Sequence, residues 1–283
     1  MLSRLPTADA VTSPDEAGDL LRDWLHRFER VFVLTGAGVS TASGIPDYRD
    51  AEGGWKRPPP VTYQAFTGDA TVYRRYWARS FVGWPRFSQA GPGPAHHALT
   101  TWAQRGGIAG LVTQNVDGLH QRAGSPDVID LHGRLDAVIC LTCGERQPRS
   151  TLQTRMAATN SAWHGGAAAT APDGDADLDA QAAARFLAPH CHLCNGMLKP
   201  DVVFFGENVP RERYQSACDA QLAADAMLVV GSSLMVYSGF RFARMAHANG
   251  QPLAILTRGR TRADALASLK LDAECGATLQ AAL

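Results

Sequence analysis

An excess of charge of either sign is missing from this 283-residue chain, where 27 Lys and Arg stand against 27 Asp and Glu. A balanced chain offers no electrostatic footprint for nucleic acid or an anionic lipid surface, so neither partner is expected. No apolar run approaches the ~18 residues a spanning helix needs, and "MLSRLPTADA" has neither a secretory apolar core nor an acid-free basic helix. A cytoplasmic protein is therefore expected, with the mitochondrial matrix as the alternative. Also missing is the third glycine of a dinucleotide fingerprint. "TGAGVSTASGIPDYRD" (35–50) follows the apolar "VFVL", but a GxGxxG begun at Gly36 and Gly38 wants glycine at 41, where Thr41 stands. Nor does an acidic residue end a second strand about 20 positions on, where a dehydrogenase holds the adenosine ribose. Hydride chemistry is not indicated.

What is present at that loop still suits phosphate. Gly36 and Gly38 allow a tight turn off the strand, and the amides that follow can bind phosphate oxygens. Ser40, Ser43 and the rigid "IPDYR" predict a loop folded over the cofactor, with no helix packed at once on the sheet.

Four of the six cysteines form two C-x2-C pairs, Cys140/Cys143 and Cys191/Cys194; Cys218 and Cys275 stand alone. Such pairs place four thiolates where one tetrahedral Zn2+ can close over them, and they require a reducing compartment. The 47 residues between the pairs exceed the usual ~15–20 of a compact ribbon. Disulfides or free thiols are the other reading.

Along the chain, Ser13 as N-cap, Pro14 and Glu16 form a capping box for a helix whose Leu20, Leu21, Trp24, Leu25 and Phe28 recur at helical spacing. Continuous apolar runs at 31–35, 108–114, 128–131, 227–231 and 253–256 have the pattern of strands covered on both faces. Helical stretches at 95–105, 211–223 and 239–249 fall between several of them. The expected fold class is α/β: a doubly wound parallel Rossmann-like sheet with a smaller zinc-binding module and a helical excursion. Residues 1–53, 91–138 and 200–283 are assigned to the sheet domain, 54–90 to a cofactor-loop and helical part of the small domain, and 139–199 to the zinc module with its insert. Within the insert, 157–184 is expected to be partly mobile. Its "DGDADLD" fails an EF-hand register at Leu178 and Ala184 and is taken as a solvated acidic loop.

Polar residues gather at strand ends, where ligands sit in open α/β sheets. Gln114, Asn115 and Asp117 follow one strand, His132 another, and Gly231, Ser232 and Ser233 a third. In isolation, Asp117 reads as a turn residue and His132 as a core histidine. Their convergence on one sheet edge favours a site.

With "GAGVSTASGIPDYR", "TQNVDGLH", "LHG", the two knuckles, "LKPDVVFFGE" and "GSSL" in this order, the chain resembles the sirtuins, NAD-dependent protein lysine deacylases, from about residue 30 to the end. "YWARSFVGWPRFS", "PAHHAL" and "GSSLMVYSGFRF" are similar to the class II branch, that of the mitochondrial sirtuin 4.

The resemblance implies NAD as co-substrate, with its phosphates at Ala37–Ser40 and on Ser232 and Ser233. It implies a nicotinamide pocket of Ile45, Asp47, Asn115 and Asp117, with Gly36, Gly38, Tyr48, Arg49, Gln114 and Gly231 also on the cofactor. The acyl carbonyl oxygen would attack the ribose carbon bearing nicotinamide, and His132 would be general base for the ribose hydroxyls; Asn115 and Asp117 complete the catalytic set. An acyl-lysine peptide or protein would add as a strand between 204–207 and 234–238, touching Phe205, Gly206, Glu207 and Val236. The four cysteines would hold one structural zinc, and a monomer is expected. Thr257 stands where much of the family has an Asn on the adenosine ribose, which weakens that contact; Arg258 and Gly259 could contact the adenosine through backbone, and Cys275 sits where the family places a residue beside the adenine.

Tyr76 and Arg79, three apart on one helix face, are similar to the Tyr-x-x-Arg pair of the desuccinylating branch. An Arg fork suits a carboxylate. Carboxylated or bulky acyl groups are therefore one expectation; a solvated basic face with Tyr76 packed inward is the other. The functional alternatives are a protein mono-ADP-ribosyltransferase and a noncatalytic NAD- or zinc-dependent binding module.

Overall fold

The structure is a computed structural model that describes residues 13–164, 174–176, 178 and 180–283. In chain order the strands are β1 (Val31–Thr35), β2 (Ile108–Thr113), β3 (Ile129–Asp130), β4 (Gly133–Cys140), β5 (Arg146–Pro148), β6 (Leu198–Val202), β7 (Ala226–Val230), β8 (Leu253–Leu256) and β9 (Leu269–Leu271). The helices are α1 (Pro14–Leu25), α2 (Tyr63–Gly68), α3 (Ala70–Gln89), α4 (Pro94–Gln104), α5 (Leu119–Arg122), α6 (Arg149–Thr159), α7 (Ala180–Ala184), α8 (Arg211–Leu222), α9 (Tyr237–Ala248) and α10 (Cys275–Ala282).

Six strands form one parallel sheet in the order β3-β2-β1-β7-β8-β9. The apolar runs are continuous because alternate residues enter different cores. Val31 and Val33 of β1, Leu228 of β7 and Leu256 of β8 join α1, α4 and α10 on one face. Phe32, Leu34, Val229 and Ile255 meet α8 and α9 on the other. Each such side chain contributes about 1.5–3 kcal/mol by leaving water. Helix α1 starts where expected, Ser13 Oγ accepting from the Glu16 amide at 3.3 Å. Strand β9 was not anticipated. Its short "LKL" carries Lys270 in the middle, whose Nζ donates to the Thr257 carbonyl at 2.8 Å.

A second sheet pairs β4 with β5 and β6, antiparallel. The expected domain limits at 138/139 and 199/200 fall inside β4 and β6. One core joins Phe66, Tyr73, Tyr76 and Trp77 from α2 and α3 to Leu135, Val138, Leu152 and Phe186, so the 54–90 stretch and the 139–199 stretch pack together. The acidic loop needs correction. Asp175 is only 2% exposed, with its carboxylate 3.8 Å from Arg79 Nε, because residues 174–176 lie against α3. Asp173, Asp177 and Asp179 lie outside the described residues, as does most of the 157–184 insert whose mobility was expected. No helix among the described residues is long and apolar enough to cross a membrane.

Candidate active site

In the sheet order, the chain leaves β1 towards β2 and β3, then returns on the other side of β1 as β7. Open sheets of this kind bind ligands at the carboxyl ends of the strands flanking such a reversal. Here the loops after β1 and β7 touch: Gly36 N donates to Val230 O at 3.0 Å and Gly38 N to Gly231 O at 2.8 Å. Neither Gly36 nor Gly38 has positive φ. Their requirement is space, since a Cβ on Gly36 would lie 2.7 Å from Ser232 Cβ and one on Gly38 2.8 Å from Gly231 Cα. The segment beyond forms two 3-10 turns, Ala37–Val39 and Thr41–Ser43, in place of a helix. These turns use the amides of Val39 and Ser40 on the Gly36 and Ala37 carbonyls. The amides of Ala37, Ser232 and Ser233 have no acceptor among the described residues, so they, and not the whole run 37–40, are available to phosphate oxygens.

A cavity of about 480 Å3 opens at this edge. It is lined by Gly36, Ala37, Gly38, Ser40, Ile45, Asp47, Tyr48, Arg49, Tyr76, Gln114, Asn115, Asp117, His132, Phe205, Gly206, Glu207, Gly231, Ser232, Ser233, Val236 and Thr257. Three expected site residues are not on its wall. Cys275 is the first residue of α10 with its thiol buried against the Leu256 carbonyl, 3.7 Å away, and burial pushes its pKa up to about 12. Gly259 packs under Ala51; its φ of 76° and the Ala51 carbonyl oxygen, which an added Cβ would meet at 2.4 Å, explain the glycine. Arg79 is turned to the insert, donating to Ala176 O at 2.9 Å beside Asp175. The expectation that Arg79 reads an acyl carboxylate with Tyr76 is thereby corrected: one turn of helix separates them, but only Tyr76 reaches the cavity.

The polar groups form two networks. Ser40 Oγ donates to Asp117 Oδ2 at 2.7 Å, and Asn115 Nδ2 donates to Ser40 Oγ at 3.0 Å and to Gly36 O at 3.1 Å. The other Asp117 oxygen accepts the Leu119 amide at 2.9 Å. Asn115 and Asp117 are thus held in fixed orientation against the 36–40 turn. In the second network, His132 Nδ1 lies 2.9 Å from the Gln114 carbonyl and Nε2 2.8 Å from Ser238 Oγ. A carbonyl only accepts, so Nδ1 carries the proton and Nε2 presents its lone pair. Burial lowers the His132 pKa to about 4; the Gln114 carbonyl opposes the shift and Arg213 adds to it. The imidazole is therefore neutral and a proton acceptor at neutral pH. The Gln114 side chain in turn accepts from Ser232 Oγ at 2.6 Å, tying the histidine's support to the β7 loop.

Two contributors escaped the sequence reading. Ser238 is an ordinary serine at a helix start in sequence, and only the fold brings it to His132. Trp55, in "EGGWKRP", stacks under Arg49 at 3.9 Å and packs edge-on against Phe205 at 5.8 Å, fastening the cofactor loop to the 204–207 segment. A lone tryptophan in a Gly-rich loop was the available signal. Glu207 is on the wall, but one of its oxygens accepts from Lys199 at 3.0 Å and from the Phe204 amide at 2.7 Å. Across the cavity Leu234 adopts φ 55°, uncommon for a branched side chain, with its amide bonded to Ser232 Oγ at 3.2 Å. The amides of Gly206, Met235 and Val236 have no acceptor among the described residues.

Outside the cavity, Cys140, Cys143, Cys191 and Cys194 bring four Sγ atoms within 4.8 Å of one another. The Cys140–Cys194 and Cys143–Cys191 separations are 3.6 and 3.7 Å. These are far above an S–S bond and close to the roughly 3.8 Å edge of a tetrahedron with 2.3 Å metal–sulfur bonds. The two knuckles are alike: Gly144 N returns to Cys140 O and Asn195 N to Cys191 O, each at 3.0 Å.

The chain matches the Sir2 family over residues 36–238. It is 59% identical to an NAD-dependent protein deacetylase of Xanthomonas axonopodis pv. citri over 259 residues, 92% of this chain and 88% of that protein. It is 47% identical over 269 residues to the bovine (Bos taurus) NAD-dependent protein lipoamidase sirtuin-4, mitochondrial, 94% of this chain and 85% of that one. Among solved structures, a Sir2 enzyme with a p53 peptide and NAD+ superimposes with a TM-score of 0.72 at 30% identity, covering 91% and 93% of the two chains. A Sir2 enzyme with an inhibitor, 2'-O-acetyl-ADP-ribose and a deacetylated p53 peptide gives 0.71 at 29%, covering 93% and 96%.

Proposed function

The chain belongs to the Sir2 family, and we propose that the walls of its cavity divide one deacylation between them. The reaction is NAD-dependent removal of acyl groups from protein lysines, giving nicotinamide and acyl-ADP-ribose. The cavity fits that co-substrate: two glycine-dependent loop contacts leave a cradle a Cβ would fill, and unpaired amides line it. NAD supplies the electrophilic ribose carbon and the nicotinamide leaving group. Asn115 and Asp117, with Ile45 and Asp47, form the pocket for the carboxamide ring. Ala37, Ser232 and Ser233 amides take phosphate oxygens, and Thr257 lies at the adenosine end. The acyl-lysine peptide adds as a strand on 204–207 and 234–238, which holds the acyl oxygen in line and excludes water, so positioning supplies much of the rate.

His132 acts next, accepting a ribose hydroxyl proton at Nε2 while the Gln114 carbonyl holds Nδ1–H. Ser238 Oγ, which donates to that single lone pair in the structure, gives the position up to the incoming hydroxyl. The single observation that carries this reading is His132 on the cavity wall at the strand reversal, its Nδ1–H fixed by the Gln114 carbonyl and its Nε2 beside Ser238 Oγ. The four thiolates are compatible with one structural zinc, since four sulfur ligands leave no position for water. Within the family we place the chain on the class II branch, for which the 47% identity to sirtuin-4 speaks, and in a reducing compartment such as the cytoplasm, where free thiolates persist. The test is an acyl-peptide panel with and without NAD: acyl loss and equimolar nicotinamide are expected only with NAD, and nicotinamide release without acyl loss overturns the reading.

A further inference from the structure

Tyr237, at the first turn of α9, is 46% exposed and stands at the cavity mouth. Three arginines surround it. Arg241, also on the cavity wall, has its guanidinium 5.2 Å from the Tyr237 ring and 4.4 Å from that of Tyr214. Arg262 lies 5.9 Å from Tyr237 and 4.4 Å from Phe240, and Arg244 donates to the Tyr237 hydroxyl at 3.2 Å. No carboxylate of a described residue comes within 4.0 Å of any of the three guanidinium groups. Across the mouth, Glu207 is taken by Lys199. Arg262 also donates to the Met235 carbonyl at 3.3 Å, as Arg244 does to Tyr237. Stacking on aromatic faces holds these cations without neutralising them, and Arg241, the one on the cavity wall, can turn its N–H edge to a carboxylate.

The cluster adjoins the 234–238 edge on which, by the deacylase reading above, the peptide docks. We infer that this enzyme reads an acidic side chain flanking the acyl-lysine, with Arg241 as the contacting residue and Arg244 and Arg262 raising the local positive potential. The inference rests on that reading for the location of the peptide, but its readout is separate.

Fluorescently labelled acyl-lysine peptides that carry Glu, Gln or Lys at each flanking position in turn are titrated against the full chain by anisotropy. At one flanking position the Glu peptide is expected to bind roughly two- to five-fold tighter than Gln, as an exposed ion pair allows, and the Lys peptide weaker than Gln. The Glu/Gln ratio falls towards one in Arg241→Ala and, in the wild type, between low and 0.5 M salt, about where screening shortens to a few ångströms. The salt series decides the matter even where the variant fails to fold. Equal affinities at every position, or a Glu preference indifferent to both salt and Arg241, overturn the inference. Nicotinamide release from the Gln peptides reports the deacylase reading independently.

Discussion

In the six-stranded sheet each central strand feeds two hydrophobic cores by simple alternation, and its residues come from short, contiguous runs. The three-stranded sheet has no such run. Its core is assembled from α2 and α3, from β4, and from α6 and Phe186, and is dense in aromatics: Phe66, Tyr73, Tyr76, Trp77, Phe186 and Phe204. The large sheet can stand on burial alone. The small one depends on links between distant segments: four thiolates from two knuckles, the Arg79–Asp175 pair, and Tyr73 Oη, which donates to Pro189 O at 2.6 Å and accepts the Leu198 amide at 3.0 Å. The lesson is that most of the cavity's polar residues follow strands of the self-sufficient sheet, while one wall, 204–207, follows β6 of the part that needs fastening.

The largest break in this comparison comes from zinc. Cys140→Ser, or chelation, is expected to abolish activity and unfold the small module, because a thiolate cage couples binding to folding. Hydrogen exchange should show β4, β5 and α6 losing protection while β1 and β7 keep theirs; equal loss in both sheets, or folded active enzyme without metal, contradicts it. Next is Gly38→Ala, whose Cβ meets the Gly231 backbone. Loss of about 1–3 kcal/mol of stability is expected from the forced shift, with NAD affinity at least about ten-fold weaker by calorimetry.

Asp175→Asn sharpens the account of the insert. Because Asp175 is buried and Arg79 part-exposed, a cost of about 1–3 kcal/mol is expected in denaturant unfolding, without selective loss on acidic acyl groups. A loss confined to succinyl or glutaryl peptides restores Arg79 as an acyl reader. The smallest effect is in pH. The neutral form of His132 is favoured in the fold, with its pKa at about 4 against an ordinary 6.5, so kcat/KM of the free enzyme should hold through pH 6.5 and fall only towards 4. Acid also costs stability over that window, because the unfolded chain takes up protons near 6.5 that His132 and His120, lowered to about 3 by burial, refuse in the fold. Near-UV circular dichroism separates the two effects.

The central strands were legible in sequence because burial on both faces leaves no polar residue to interrupt the run, and the site because its polar residues follow strand ends. Strands β5 and β9 were too short, and β4 pairs with β6 across the whole insert. Arg79 misled for a physical reason: helical spacing shows that two side chains share a face, but not what the face meets, and here the insert's Asp175 meets it. Gly36 and Gly38 are glycine for a reason other than the one read, since a neighbouring loop's backbone and Ser232 set the demand. Ser238 carried no local signal at all.

The account turns on His132 as the base that completes deacylation. Mass-resolved products of one acyl-peptide with NAD, compared between wild type and His132→Ala with NAD binding measured alongside, test this most directly. The wild type should yield free lysine and acyl-ADP-ribose in equal amounts, and the variant should bind NAD normally yet turn over at least about 100-fold more slowly. A variant that keeps wild-type deacylation, or a wild type that leaves ADP-ribose on protein with the acyl group in place, contradicts it.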